Sequence, residues 1–325
     1  MRTLGIGLVM TALILCGCGG QEQQQAEGSD SAGKKVTVAF VTNNASDFWK
    51  IAQAGTEKAA KELGCEVLFK IPPQGTAQEQ KQIVQDLITR GVSGIAISPK
   101  DPENQTAMLN NAASKVNLVT QDSDAPNSDR ICYIGTDNYQ AGVAAGELIK
   151  KILPDGGEIM LFVGTLDAQN AQDRKQGIED TLEGTDITIL DTRTDETDRM
   201  KAKANAQDAL TTHPELDCLV GLWSYNGPAI LRGVRAAGKL GEVDIVCFDE
   251  EAETLRGVKE GHIAGTIVQQ PFEFGYQSVK LLYELAQGDR SRVPEDERII
   301  IPVKTITQKN VDEFWAQLKE LTGKS

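Results

Sequence analysis

Residues 116–130 read VNLVTQDSDAPNSDR. The apolar run 116–119 suits a short buried strand, and two acids, Asp122 and Asp124, come directly after it. In an open α/β sheet, ligands bind in the crevice beyond the carboxyl ends of the parallel strands. If the rest of the chain is such a sheet, these carboxylates stand at its binding edge.

The chain reads that way in both directions. Upstream, strands expected at 36–41, 66–69 and 94–98 alternate with helices at 48–63, 77–89 and 103–115, the first two helices ended by Gly64 and Gly91. Downstream, strands at 131–134, 158–163, 187–190, 216–222, 244–248 and 265–268 alternate with helices at 141–153, 171–182, 199–212, 228–237 and 251–260. Near-continuous apolar strands separated by helices make parallel sheets covered on both faces. The tail adds a helix at 272–285, a strand at 298–303 and an amphipathic helix at 310–321, whose Phe314 and Trp315 read as packing residues. The rhythm starts twice. IVQDL (83–87) before GIAI (94–97) is echoed by NAQDA (205–209) before LVGL (219–222), so the 325 residues suggest two similar lobes.

Composition narrows the partners. The chain is 40% hydrophobic, enough for real cores, and its 47 acids against 33 bases give a net charge of −14. Nucleic acid and anionic membrane both require clustered Lys and Arg, so neither is expected. Met1-Arg2, the apolar run of 12 residues at 4–15 and Leu15-Cys16-Gly17-Cys18 read as a secretory signal over 1–17. Such a run is too short to span a bilayer. Residues 18–34 then form a flexible tether, with no apolar residue larger than Ala after Cys18.

Other chemistry is thin. Cys65, Cys132, Cys218 and Cys247 lack C-x-x-C spacing and lie in or beside strands, so they read as small core residues. His213 and His262 are the only histidines, too few for a His-based metal cluster, and no Ser-His-Asp set or phosphate-binding Gly pattern is present. The loop starting at Asp122 begins like a calcium loop, but Pro126, Asn127 and Tyr133 stand where a ligand, a Gly and a bidentate Glu belong. No enzyme, metal or cofactor is expected.

Several motifs in order carry a resemblance: DSDAP (122–126), YIGTDN (133–138), AGVAAG (141–146), Asn170 and Arg174 before Gly177, Phe248-Asp249, and GTIVQQP (265–271). From about 36 to 307 the chain resembles the ribose-type branch of the type I periplasmic sugar-binding proteins of bacterial ABC transporters. The cysteine after Leu-x-Gly likewise resembles a bacterial lipobox, which implies that Cys18 is lipidated. The resemblance implies an α/β fold of two Rossmann-like lobes with parallel sheets, joined by three hinge crossings. These would fall near 136–137, 269–270 and 302–303, giving an N-terminal lobe of 35–136 plus 270–301 and a C-terminal lobe of 137–269 plus 302–325. It further implies a monomeric, lipid-anchored receptor in the cell envelope, periplasmic or extracytoplasmic. Its lobes would close on a sugar and deliver it to an ABC permease in the membrane.

A sugar offers hydroxyls to planar polar side chains and C–H faces to aromatic rings. By the resemblance, Ser46, Phe48 and Trp49 line the cleft; alternatively Ser46 or Asp47 caps the helix and Phe48 packs inside. Asp122 matches a cleft aspartate. Ribose binders have Arg next, whereas here Ser123 and then Asp124 follow, which loses a bidentate donor, gains an acceptor and points away from ribose to another neutral aldose or polyol. The alternative is that Asp124 caps a turn before Pro126. In the second lobe Asn170 is carried over, Gln172 aligns with a cleft Arg and Arg174 with a structural one, and either stands as the ligand-facing residue. Trp223 or Asn226 reaches the ligand after strand 216–222, Asp249 is the second cleft aspartate, and Gln269 is a hinge glutamine serving ligand or backbone. The alternative function is a sensory receptor that passes a sugar or furanosyl signal to a chemoreceptor or kinase. A sugar-responsive gene regulator is disfavoured by the export-type N-terminus and the charge.

Overall fold

The computed structural model describes residues 35–322, so the expected signal, the tether and Cys18 lie outside the described residues. The first series is β1 (Thr37–Val41), α1 (Asp47–Leu63), β2 (Glu66–Lys70), α2 (Ala77–Thr89), β3 (Gly94–Ile97), α3 (Pro102–Ala113), β4 (Asn117–Gln121) and β5 (Cys132–Gly135). Its strands lie in the order β2-β1-β3-β4-β5, every pair parallel. Side chains alternate across it. Val38, Phe40 and Ala96 face one core with Trp49, Phe274 and Leu282, while Ala39, Val41, Ile95 and Ile97 face another with Leu87 and Leu109. Burying each such Phe, Leu or Ile contributes about 1.5–3 kcal/mol, which holds helices on both faces.

The second series is α4 (Asn138–Ile152), β6 (Gly157–Val163), α5 (Gln169–Leu182), β7 (Ile187–Thr194), α6 (Arg199–Thr212), β8 (Cys218–Gly221), α7 (Asn226–Ala236), β9 (Asp244–Phe248), α8 (Ala252–Glu260) and β10 (Gly265–Val268). It repeats the first order as β7-β6-β8-β9-β10, again all parallel. Phe162, Leu219 and Ile245 face one core, Leu161, Val220 and Phe248 the other.

The tail runs α9 (Pro271–Ala286), β11 (Arg298–Ile300), β12 (Lys304–Ile306) and α10 (Val311–Thr322). α9 packs on α1 against the first sheet. β11 adds parallel to β5, and β12 adds antiparallel to β10. The single strand expected at 298–303 is therefore two strands in different sheets. Pro302 has no N–H for a ladder, and its carbonyl instead accepts from Gln270 Nε2 at 2.6 Å. The chain thus passes between the sheets after β5, after β10 and between β11 and β12.

Other differences are local. β4 runs on through Thr120 and Gln121, which pair with Tyr133 and Ile134 and bring Asp122 to the strand's end. α4 starts at Asn138 rather than 141, because the Asp137 carboxylate caps the Gln140 N–H. Phe314 and Trp315 pack against the second-sheet core, and the four cysteines of the described chain are buried and unbridged.

Candidate functional site

β4 and β9 are each followed directly by an aspartate whose backbone turns left-handed. Asp122 has φ +60° and Asp249 φ +65°. Few residues other than Gly adopt this region; Asp does so more readily than most, and such strain concentrates at functional sites. Asp122 donates its N–H to the Ile134 carbonyl of β5 at 3.1 Å, and Asp249 donates to Ile267 of β10 at 2.8 Å.

The two carboxylates are held differently. Asp122 Oδ2 accepts from Ser98 Oγ at 2.9 Å and from Asn43 Nδ2 at 3.3 Å. Both donors follow strands of the same sheet, Asn43 after β1 and Ser98 after β3. Fully buried Gln80 braces them from behind, donating to the Thr42 and Ser98 carbonyls at 2.8 and 2.7 Å. Its own oxygen accepts from Lys100 N and Gln105 Nε2. Asp249 Oδ1 instead accepts from Gln269 Nε2 at 3.1 Å, a residue just past β10.

Arg174, 2% exposed, lies within electrostatic reach of both acids. Its Nε donates to Asn138 Oδ1 at 3.0 Å, its Nη1 to the Leu222 carbonyl at 2.6 Å, and its guanidinium stacks over the Phe248 ring at 4.5 Å. Burial pushes the Asp122 carboxyl up to about 6, against the lowering effects of the Ser98 hydrogen bond and the Arg174 charge. Burial also raises Asp249, opposed first by Arg174 and then by Gln269. The result is two acceptors and one cation, set at the ends of two sheets. Such a set takes hydroxyl hydrogens on its carboxylates and ring or hydroxyl oxygens on its guanidinium.

Asp122, Asp249, Arg174 and Gln269 come together, and of the two alternatives at 172 and 174 it is Arg174 that faces the acids. Gln172 is exposed and donates to the Leu166 carbonyl at 2.8 Å. Other expected site residues stand elsewhere. Trp49, 1% exposed, is a core residue against Phe40 and Phe48 rather than a cleft wall. Half-buried Phe48 packs on Trp49 and Phe274, and Ser46 is exposed at the helix start without a side-chain capping bond. Asp124 is taken inside its own lobe: Arg130 grips it in two-pronged fashion at 2.6 and 2.8 Å, and Thr120 Oγ1 and Ala125 N also donate to it. An acid so saturated has little left for a ligand, which removes the specificity expected of it.

On the second lobe, exposed Asn170 accepts from Trp223 Nε1 at 3.1 Å. Trp223 packs so closely on Gly164 that a Cβ there would fall 2.0 Å from its ring. Asn226 is fully buried, donating to Asp195 and accepting from Trp223 N. Tyr225 also donates to Asp195, so Asn226 belongs to an internal knot rather than to the aspartate site. Asn43, Ser98 and Asn138 went unforeseen. The available signal was a polar residue directly beyond an apolar strand, as in Val41-Thr42-Asn43 and Ile97-Ser98.

Comparison with known proteins agrees with this architecture. A profile described as periplasmic binding protein domain matches residues 38–290. The ribose import binding protein RbsB of Salmonella typhimurium is 27% identical over 279 residues, 84% of this chain and 93% of that protein. The D-allose-binding periplasmic protein of Escherichia coli is 27% identical over 274 residues, covering 81% and 88% of the two chains. Among solved structures, an ABC transporter solute binding protein from Burkholderia graminis in complex with D-arabinose superimposes with a TM-score of 0.79. It is 32% identical, over 85% of this chain and 96% of that one.

Proposed function

The chain belongs to the periplasmic binding protein domain family, and from that premise we propose that it is the sugar-binding component of an ABC importer, a receptor rather than an enzyme. Its ligand on this reading is a neutral monosaccharide, an aldose or related polyol, held between Asp122 on one sheet and Asp249 with Arg174 on the other. The lobes are 35–136 plus 270–301 and 137–269 plus 302–325. They rock about the three passages between the sheets. Cys18 carries a lipid anchor that keeps the receptor in the envelope beside its permease.

The observation that carries this reading is the electrostatic coupling of half-buried Asp122 with buried Asp249 and Arg174, each at a strand end or ligand-side helix of a different βα unit. Relatives that bind ribose, allose and arabinose lend it the sugar class. The test is a panel of D-ribose, D-allose, D-arabinose, D-galactose and polyols in thermal melting and calorimetry. At a hundredfold excess over its Kd, a fitting sugar adds about 2.7 kcal/mol of stability, several degrees of melting temperature. A panel that moves neither signal sinks the sugar assignment.

A further inference from the structure

The left-handed aspartates are pinned by more than their N–H groups. In the first sheet the Tyr133 hydroxyl donates to the Asp122 carbonyl at 3.1 Å and shares its hydrogen with the Thr136 carbonyl at 3.0 Å. In the second, Thr266 Oγ1 donates to the Asp249 carbonyl at 2.7 Å. Tyr133 is 3% exposed and Thr266 0%, so water does not compete for these bonds.

The two hydroxyls are equivalent by register. Tyr133 pairs with Thr120, two residues before Asp122, and Thr266 pairs with Cys247, two residues before Asp249. Different side chains thus make one contact at one place in each sheet. The phenol needs clearance to do so, and Gly135 supplies it, since a Cβ there would fall 2.1 Å from the hydroxyl. With both N–H and C=O taken by the neighbouring strand, neither peptide flanking the aspartate can rotate freely. That strand is β5 or β10, after which the chain passes to the other sheet.

We propose that Tyr133 and Thr266 are positioning residues for capture: their hydroxyls lock Asp122 and Asp249 in the left-handed turn and join each acid to the strand leading into an inter-sheet passage. Their effect on affinity rests on the sugar reading above. Their effect on the aspartates does not.

The experiment uses the whole mature chain with Tyr133→Phe, Thr266→Val and Thr266→Ser. Thr254→Val is the control, a buried hydroxyl with no hydrogen-bond partner among the described residues. Carboxyl carbon NMR of the ligand-free protein follows Asp122 and Asp249. In Tyr133→Phe the Asp122 midpoint should fall from about 6 toward the ordinary aspartate range as the freed turn lets water in, with a smaller movement of Asp249. Thr266→Val should move Asp249 more than Asp122, and Thr266→Ser should restore it. Calorimetry with the tightest-binding sugar of the panel should show roughly tenfold weaker binding in Tyr133→Phe and Thr266→Val, and no change in Thr266→Ser or Thr254→Val. If Tyr133→Phe does not fold, the Thr266 pair decides alone. Folded variants with unmoved carboxyl midpoints overturn the proposal. Midpoints that move while no sugar binds the wild type uphold the positioning and overturn the sugar reading.

Discussion

Asp122 and Asp249 occupy the same place in two sheets of the same strand order, yet their carboxylates lean on different neighbours. Asp249 takes Gln269, three residues beyond Thr266. The residue three beyond Tyr133 is Thr136, whose buried hydroxyl finds no hydrogen-bond partner among the described residues. A threonine is too short for what a glutamine does there. Asp122 is served instead from inside its own sheet, by Ser98 after β3 and Asn43 after β1. At the place of Ser98 the second sheet has Leu222, which offers only its carbonyl, to Arg174. One acid is thus tied to the passage between the sheets through its side chain and the other is not. The backbone geometry repeats from one sheet to the other while the side chains around it differ.

Removing either acid should have the largest effect. Asp249→Ala and Asp122→Ala should each weaken the tightest-binding sugar roughly 100-fold, about 3 kcal/mol, as a charged acceptor is lost from a buried site. Calorimetry checks this, and full affinity in one variant would mean that only the other sheet holds the ligand.

Protonation should separate the two acids next. The folded Asp122 titrates at about 6, above its unfolded value, so the folded chain keeps a proton that the unfolded chain has released. Its contribution to stability is complete below the unfolded pKa, near 4, and is lost as pH rises through about 6, a swing of roughly 3 kcal/mol. Asp122→Asn should therefore flatten urea-unfolding stability between about pH 4.5 and 7, leaving the slope due to Asp249 and other groups.

Smaller effects test the divergence itself. Gln269→Leu should cost roughly tenfold in affinity, about 1.4 kcal/mol, whereas Ser98→Ala should cost only about threefold because Asn43 still donates to Asp122. Thr136→Val, which deletes a hydroxyl with no hydrogen-bond partner among the described residues, should change affinity less than about twofold and stability by under about 1 kcal/mol in either direction. A large loss in Thr136→Val would give that hydroxyl a role in the ligand complex.

The strand ends were legible because a buried parallel strand is an apolar run, and the first polar residues after it must lie at the sheet's edge. Asp122 and Asp249 stand there. The helix starts were not legible to the same degree. Residues 172 and 174 are about 200° apart around a helix, so only one can face the aspartates, and a small rotation chooses between them. The resemblance places Trp49 in the cleft wall, whereas α1 turns it into the core beside Phe40. Of the two readings open for Asp124, the turn before Pro126 agrees with its bond from the Ala125 N–H, but its main partner is not legible. Its partner Arg130 lies six residues on, across a turn whose path no periodicity reveals.

By itself the sequence determined the α/β class, the doubled rhythm and the two acids at strand ends, because burial period and chain punctuation are local properties. Only the tertiary structure decided which polar groups meet. Arg174 lies within electrostatic reach of both acids, Arg130 grips Asp124, and two unlike hydroxyls, on Tyr133 and Thr266, make the same contact. Those pairings depend on register between strands and on helix phase, which are fixed when the sheets pack.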